Sequence, residues 1–188
     1  MRQKPAVPEN YKNGARWDAI AMFYLDVLEQ FYKNGVRYLI VGGLAVNLYG
    51  VPRVTQDIDV IIATDRENIL KINSILKDLG YVPRLPVDPD DMSNKNTLTQ
   101  WIEERNLKAF SFYNKKDNYK VVDIVLVHPL DFEKAFNDRT VRSAAGLDIY
   151  LAALDDLIRM KSVAGRGQDL SDVEMLNKVK KLSERQNG

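Results

Sequence analysis

Leu39-Ile40-Val41-Gly42-Gly43, a spacer of thirteen residues and then Asp57-Ile58-Asp59-Val60-Ile61-Ile62 form the stretch on which the fold of this 188-residue chain turns. Val36 to Val41 is a short apolar run ending in two glycines, the pattern of a buried strand that enters a tight turn. Leu44 to Tyr49 then predicts a short helix, closed by Gly50-Val51-Pro52. Asp57 to Ile62 predicts a second strand, apolar except at its entry. Strand side chains alternate between faces, so Asp57 and Asp59 share one face and Ile58 points into the core. Their Cα atoms are then roughly 6.5–7 Å apart.

Upstream, Ile20, Phe23, Tyr24, Val27, Leu28 and Phe31 recur on one side of a helix from Trp17 to Asn34, stopped by Asn34-Gly35. Trp17, Phe23 and Tyr24 read as core residues. Residues 1–14 form a loose polar arm that lacks the apolar segment of a signal peptide. Downstream, Thr64 and Glu67 have the spacing of a capping box. They open a helix with Ile69, Ile72, Ile75, Leu76 and Leu79 on one side, ended by Gly80.

Pro83, Pro86 and Pro89 break the next stretch, and Thr97 to Arg105 predicts a helix carrying Trp101. Leu107–Tyr113 and Lys120–Val127 read as strands joined by a polar turn. Pro129 opens a short helix, and Leu147–Leu151 reads as a further strand. Two helices, Leu154–Ala164 and Leu170–Leu182, flank Gly165-Arg166-Gly167. The expected fold is α/β (α+β): a mixed sheet flanked by helices in one domain, with its core over residues 15–150 and a C-terminal helical segment over 151–188.

Composition narrows the function. A 45% hydrophobic content supports a real core and excludes a mostly disordered chain. With no cysteine, there is no disulfide scaffold, iron–sulfur centre, thiolate zinc site or cysteine nucleophile. The single histidine, His128, excludes a two-histidine metal site within one chain and reads as a turn residue before Pro129. A net charge of +1 argues against a strongly basic coat for duplex DNA. The longest apolar stretch, Tyr38 to Val51, is interrupted and falls short of the ~20 residues of a membrane helix. A cytoplasmic protein without a membrane partner is the expectation.

Two carboxylates as close as Asp57 and Asp59 settle only in solvent, by sharing a proton, or around a cation. Hard oxygen ligands suit Mg²⁺ or Mn²⁺, while a solvated strand start is the plainer reading of an isolated Asp-x-Asp. Asp123 stands among six apolar residues in Val121-Val122-Asp123-Ile124-Val125-Leu126-Val127. It is either an edge-strand residue facing water, the partner of a Lys or Arg, or part of a metal site. If its strand lies beside that of Asp57 and Asp59, three carboxylates converge in a two-metal phosphoryl-transfer arrangement. Gly42-Gly43 suits close approach of a phosphate to the backbone, or simply a turn.

Together these segments resemble the nucleotidyltransferase superfamily related to DNA polymerase β, whose pattern is an apolar residue, Gly-Gly or Gly-Ser, a spacer, Asp-x-Asp in a strand and a third carboxylate nearby. Gly43-Leu44-Ala45, Gly50-Val51-Pro52-Arg53-Val54-Thr55 and Asp57-Ile58-Asp59 are similar to the AbiEii-toxin-like branch. So is the C-terminal set Lys161, Ala164, Arg166, Asp169 and Asp172. The likeness spans roughly residues 36–176, with Gly43 where many relatives carry serine.

The resemblance implies transfer of a nucleoside monophosphate from a nucleoside triphosphate to a hydroxyl acceptor, with release of pyrophosphate. It implies two Mg²⁺ (or Mn²⁺) ions on Asp57, Asp59 and Asp123, with Asp123 as base, and a triphosphate cradled by Gly42 and Gly43. Arg53, Thr55, Lys161 and Arg166 join the nucleotide site by the same likeness. On chemistry alone, Arg53 is equally a loop residue, Thr55 a strand-entry residue, and Lys161 and Arg166 partners of Asp169 and Asp172. Lys115, Lys116 and Lys120 near Tyr113 and Tyr119, and separately Lys178, Lys180, Lys181 and Arg185, are either RNA contacts or solvated charge. RNA, a protein or a small molecule stay open as acceptor. A toxin-like member would act on tRNA or protein and pair with an antitoxin. The alternatives are a catalytically silent nucleotide- or partner-binding relative, and an unrelated α/β domain in which Asp123 is remote from Asp57.

Overall fold

A computed structural model describes residues 23–144 and 146–186. The arm at 1–14 and the start of the first expected helix lie outside the described residues. The chain runs α1 (Leu25–Lys33), β1 (Tyr38–Ile40), α2 (Gly42–Leu48), β2 (Asp57–Ile62), α3 (Arg66–Asp78) and β3 (Tyr81–Pro83). A 3-10 turn (Pro89–Ser93), α4 (Lys95–Glu103), β4 (Ala109–Asn114) and β5 (Val121–Val125) follow. The chain continues through α5 (Phe132–Asn137), β6 (Thr140–Ala144), β7 (Leu147–Leu151), α6 (Leu154–Ala164) and α7 (Gly167–Gln186).

Seven strands make one mixed sheet in the order β3-β4-β5-β2-β1-β7-β6. The expected mixed α/β architecture is the observed one. β2 runs parallel to β5 and antiparallel to β1, and β4 runs antiparallel to both β3 and β5. The register puts Ile58 beside Val122 and Phe112, and Val60 beside Ile124 and Phe110. Those side chains are fully or almost fully buried, and they form the core face of the sheet. Trp101 of α4 stacks on Phe110 with ring centroids 5.7 Å apart. Side-chain alternation sends the intervening row of Asp59, Asp123 and Ser111 to the opposite face.

Several elements depart from the sequence reading. The α3 cap is Asp65, whose carboxylate accepts from the Asn68 N–H, instead of the Thr64–Glu67 box. A carboxylate at that position also complements the helix dipole. Buried Asn68 in turn accepts from Arg37 N and donates to the Arg37 and Ala63 carbonyls, tying α3 to the entry of β1. The second helix starts at Gly42 instead of Leu44, and α4 starts two residues early because Asn94 caps it. The last helix is longer than Leu170–Leu182, running Gly167–Gln186.

β3 and β6 are absent from the sequence reading. Both are edge strands: β3 is three residues long and ends in Pro83, tolerated only at an edge, and β6 leaves Val141 exposed. Neither carries the alternating apolar face by which a strand is recognised.

Candidate active site

The register of β2 and β5 sets Asp59 directly beside Asp123. Asp57 lies two residues before Asp59 on the same face, and one carboxylate oxygen from each of the three comes within 4.8 Å of the others. The reading in which Asp123 is remote from Asp57 is thereby overturned. Burial, reinforced by the charges of Asp57 and Asp123, pushes Asp59 up to about 6. Burial also raises Asp123, with Asp57 adding to the effect. Asp123 Oδ1 is buried without a hydrogen-bond partner among the described residues.

The surroundings hold this trio in place. Gly42 has φ +62°, and a Cβ there would come 1.8 Å from Asp59 Oδ2. Val41 N donates to the Asp59 carbonyl at 2.9 Å. Thr55 Oγ1 donates to Asp57 Oδ1 at 2.9 Å, which fixes that carboxylate's rotamer. Tyr24 accepts from Val121 N at 3.0 Å and donates to the Gln56 carbonyl, so its hydroxyl joins the entries of β5 and β2. The Asn47 side chain bonds both backbone groups of Arg53, pinning the loop between α2 and β2.

Two cavities meet at the carboxylates. The larger, of about 700 Å³, is bordered by Gly42, Asp59, Lys108, His128, Lys161 and Arg166, with apolar walls from β5 and α6. The smaller, of about 320 Å³, is lined by Gln56, Asp57, Arg84, Ser111, Asn118, Tyr119, Val121 and Asp123. His128 Nδ1 accepts from Leu130 N, and burial lowers its pKa, so it caps a turn as a neutral ring.

The C-terminal helices contribute a charged knot. Buried Lys161 pairs with Asp169 at 2.9 Å and Asp172 at 3.0 Å. Arg53 pairs with Asp172 at 2.8 Å and Arg166 with Asp169 at 2.6 Å. Three cations thus face two carboxylates at the edge of the larger cavity. The structure brings Gly42, Asp59, Lys161 and Arg166 around that cavity and Asp57 with Asp123 around the smaller one. Arg53 and Thr55 back Gly43 instead: a Cβ there would meet Thr55 Oγ1 at 2.7 Å and Arg53 Cζ at 3.2 Å. Lys120, part of the basic hairpin cluster, pairs with Asp26 and lies over the Phe23 ring. Lys178 and Lys180 pair with Glu174 and Asp155.

This donor set fits a divalent cation. It is all-oxygen, its members repel one another, and the nearby Arg53 and Lys161 are paired with Asp169 and Asp172 instead. A cation here would relieve the strain that raises Asp59 and would occupy the orphaned Asp123 oxygen.

Residues 25–184 match the family described as "Nucleotidyltransferase of unknown function (DUF6036)". The chain belongs to this nucleotidyltransferase family. No curated protein sequence matches it significantly. Among solved structures, the lincosamide antibiotic adenylyltransferase LnuA in its lincomycin-bound form superposes with a TM-score of 0.53 at 17% identity, covering 84% of this chain and 95% of that one. The antibiotic-resistance factor ANT(2'')-Ia superposes with a TM-score of 0.50 at 13% identity, covering 92% and 93%. At these identities the likeness is one of nucleotidyltransferase fold.

Sequence reasoning passed over Lys108, Arg84, Ser111 and the hydroxyl of Tyr24. Lys108 and Ser111 flank or occupy β4 with no pattern to mark them, and Arg84 follows a proline in a stretch read only as a break.

Proposed function

We propose that this nucleotidyltransferase moves a nucleoside monophosphate from a nucleoside triphosphate to a hydroxyl acceptor, with Mg²⁺ (or Mn²⁺) held by Asp57, Asp59 and Asp123. The observation that carries the reading is the placement of the carboxylates: Asp59 borders one cavity, and Asp57 and Asp123 border the other. Donor and acceptor can then approach the same charged centre from two sides. The larger cavity is of ligand size and combines apolar walls for a base with Lys108, Lys161 and Arg166 for phosphates. Gly42 borders it, and Gly43 packs behind against Arg53 and Thr55, which hold that loop and Asp57 in place; the proposed triphosphate cradle is this glycine pair.

In the proposed reaction the acceptor oxygen bonds to the α-phosphorus. The bond from that phosphorus to the α,β-bridging oxygen breaks, and its electron pair leaves with pyrophosphate. The hydroxyl proton passes to Asp123, which lines the cavity proposed for the acceptor. When bound, the cations would supply charge neutralisation of the triphosphate and an acidified acceptor hydroxyl. The chain itself supplies position and charge and forms no covalent intermediate.

The finer branch of the proposal is an AbiEii-like toxin, acting in the cytoplasm on tRNA or protein and held by an antitoxin; its support is the Lys161, Arg166, Asp169 and Asp172 set. Among the described residues no helix is long and apolar enough to cross a membrane.

Calorimetric titration of each of the four nucleoside triphosphates, with and without Mg²⁺, tests the reading. Wild type should bind at least one only with Mg²⁺, and the Asp57→Asn/Asp59→Asn variant should bind none. Absence of binding by wild type would sink it, and binding without transfer to any acceptor would mark a silent relative.

A further inference from the structure

Asp59, Asp123 and Ser111 lie side by side on β2, β5 and β4, and Arg84, the residue that follows β3, extends the row. The antiparallel register of β3 and β4 pairs Pro83 with Phe112, and one step on Arg84 N donates to the Ser111 carbonyl at 2.9 Å. Ser111 is then the lateral neighbour of Asp123, and Asp123 of Asp59. Lateral neighbours on a sheet point the same way. Arg84 therefore shares the face of the carboxylates, two strands away from Asp123, or roughly 10 Å between Cα atoms at ~4.8 Å per strand. An arginine side chain spans most of that gap, and Arg84 lines the same 320 Å³ cavity as Asp57 and Asp123. Its charge is felt at Asp123.

Arg84 is exposed and has no carboxylate partner among the described residues. The rest of the cavity wall is neutral and rich in donors: the Ser111 hydroxyl, the Asn118 and Gln56 amides and the Tyr119 hydroxyl. Outside the metal-binding trio no carboxylate lines it. With Asp57 and Asp123 engaged by the cation, a polycationic acceptor would meet a guanidinium and no further carboxylate. A carboxylate has two oxygens, which a guanidinium fork satisfies alone. A phosphate brings further oxygens, which the neighbouring hydroxyl and amides can serve.

We propose that the acceptor carries a phosphate close to its attacking hydroxyl, and that Arg84 takes that phosphate in the smaller cavity. The proposal rests on the nucleotidyl-transfer reading of the trio. Two sources supply this chemistry: a small phosphorylated polyol or sugar, and the terminal nucleotide of an RNA, whose ribose hydroxyl follows a phosphodiester. For the second, Tyr119 at the rim, 70% exposed, offers a ring to a base.

The test is calorimetric, on the full chain loaded with Mg²⁺ and a non-hydrolysable triphosphate analogue, using matched probes that differ in the phosphate. Glycerol is compared with glycerol 3-phosphate, and a nucleoside with a dinucleoside monophosphate. In at least one pair the phosphorylated member should bind wild type about tenfold tighter, the size of one charge-assisted contact. Arg84→Gln should erase that preference and Arg84→Lys should keep part of it, both at the wild-type melting temperature. The pair that responds identifies the source. Equal binding within both pairs, no binding of either phosphorylated probe, an undiminished preference in Arg84→Gln, or glycerate binding better than glycerol 3-phosphate would each overturn the proposal. Failure of wild type to load the Mg²⁺–triphosphate analogue would instead bring down the nucleotidyl-transfer reading and this inference with it.

Discussion

Gly42 stands against Asp59 so closely that a Cβ on residue 42 would fall 1.8 Å from Asp59 Oδ2 and 2.5 Å from its Cγ. The first glycine is therefore the space in which a candidate metal ligand sits, and it also adopts φ +62°, where side chains are strained. Gly42→Ala should lose about 2–4 kcal/mol, from the left-handed backbone and the overlap together, and should lose Mg²⁺-dependent nucleotide binding. Urea denaturation and calorimetry read the two effects. An alanine variant of wild-type stability would show that Asp59 can move aside freely.

The second glycine leads to a different expectation. Thr55 Oγ1 and Cβ lie 2.7 and 2.9 Å from where a residue-43 side chain would begin. Thr55 is β-branched, and its hydroxyl is bonded to Asp57, so it yields poorly. Gly43→Ser should weaken nucleotide binding by displacing Thr55 and with it Asp57. Paired titrations of Gly43→Ser and Gly43→Ser/Thr55→Ala decide this, since the second change should relieve the overlap. Tighter binding by the single variant would contradict it.

Asp59 binds its proton more tightly folded than unfolded, at about 6 against an ordinary 3.8. The folded state then holds more protons across that interval, so stability falls as pH rises from about 4 to about 6 and stays lower above it. The loss is at most about 3 kcal/mol. Mg²⁺ should raise the melting temperature above pH 6 and have little effect below pH 4, where Asp59 is protonated in both states. Asp59→Asn should flatten the apo profile, stabilise the metal-free protein at pH 7.5 and abolish the Mg²⁺ response. Melting curves across pH with and without Mg²⁺ test this, and a Mg²⁺ response retained in Asp59→Asn would refute the assignment.

Lys161 and Arg166 both pair with Asp169 but differ in burial, their side chains being 6% and 75% exposed. Removing Lys161 leaves Asp169 and Asp172 buried beside a gap, so Lys161→Met should cost about 3 kcal/mol. Arg166→Gln should cost under about 1 kcal/mol. Against its burial, hydrogen bonds from Arg166 and Lys161 hold Asp169 at about 2. The knot's contribution is therefore intact above pH 4 and lost as pH falls toward 2. Urea denaturation of the two variants at pH 7 separates them, and equal losses would show that exposure does not grade these pairs.

The parts of this site that were legible in the sequence are those that violate a local rule. Asp123 in an apolar run and Asp57 and Asp59 at the mouth of another stand out because buried charge is costly, and β2 and β5 do lie side by side. The buried strands of the sheet centre read clearly because their apolar runs are continuous. β3 and β6, at the edges, bury too little for a pattern to form. The Thr64–Glu67 spacing puts the start of α3 one position early, because the neighbouring carboxylate of Asp65 is the acceptor that holds it. Arg84 could not be found from the sequence, because its place beside the carboxylates comes from a row of neighbours on three strands, extended by the residue after β3.

Tyr24 shows the same limit at an apparently apolar residue. Its helical spacing marks it as core, and its ring is fully buried, with Phe23 edge-on at 5.2 Å. Periodicity says nothing of its hydroxyl, which bonds Val121 N and the Gln56 carbonyl and so joins the entries of the two strands that carry the carboxylates. Burial pushes that phenol up to about 12, so it stays protonated and able to donate throughout the working pH range. Tyr24→Phe keeps the ring and orphans one donor and one acceptor, which should cost about 1–3 kcal/mol. If the hydroxyl also sets the spacing of Asp57 against Asp123, Mg²⁺ affinity should fall by more than in a control of equal stability loss far from the site, such as Ile72→Val in α3. Matched melting and Mg²⁺ titrations of the two variants decide it: equal Mg²⁺ affinities would reduce Tyr24 to a packing residue with a satisfied hydroxyl.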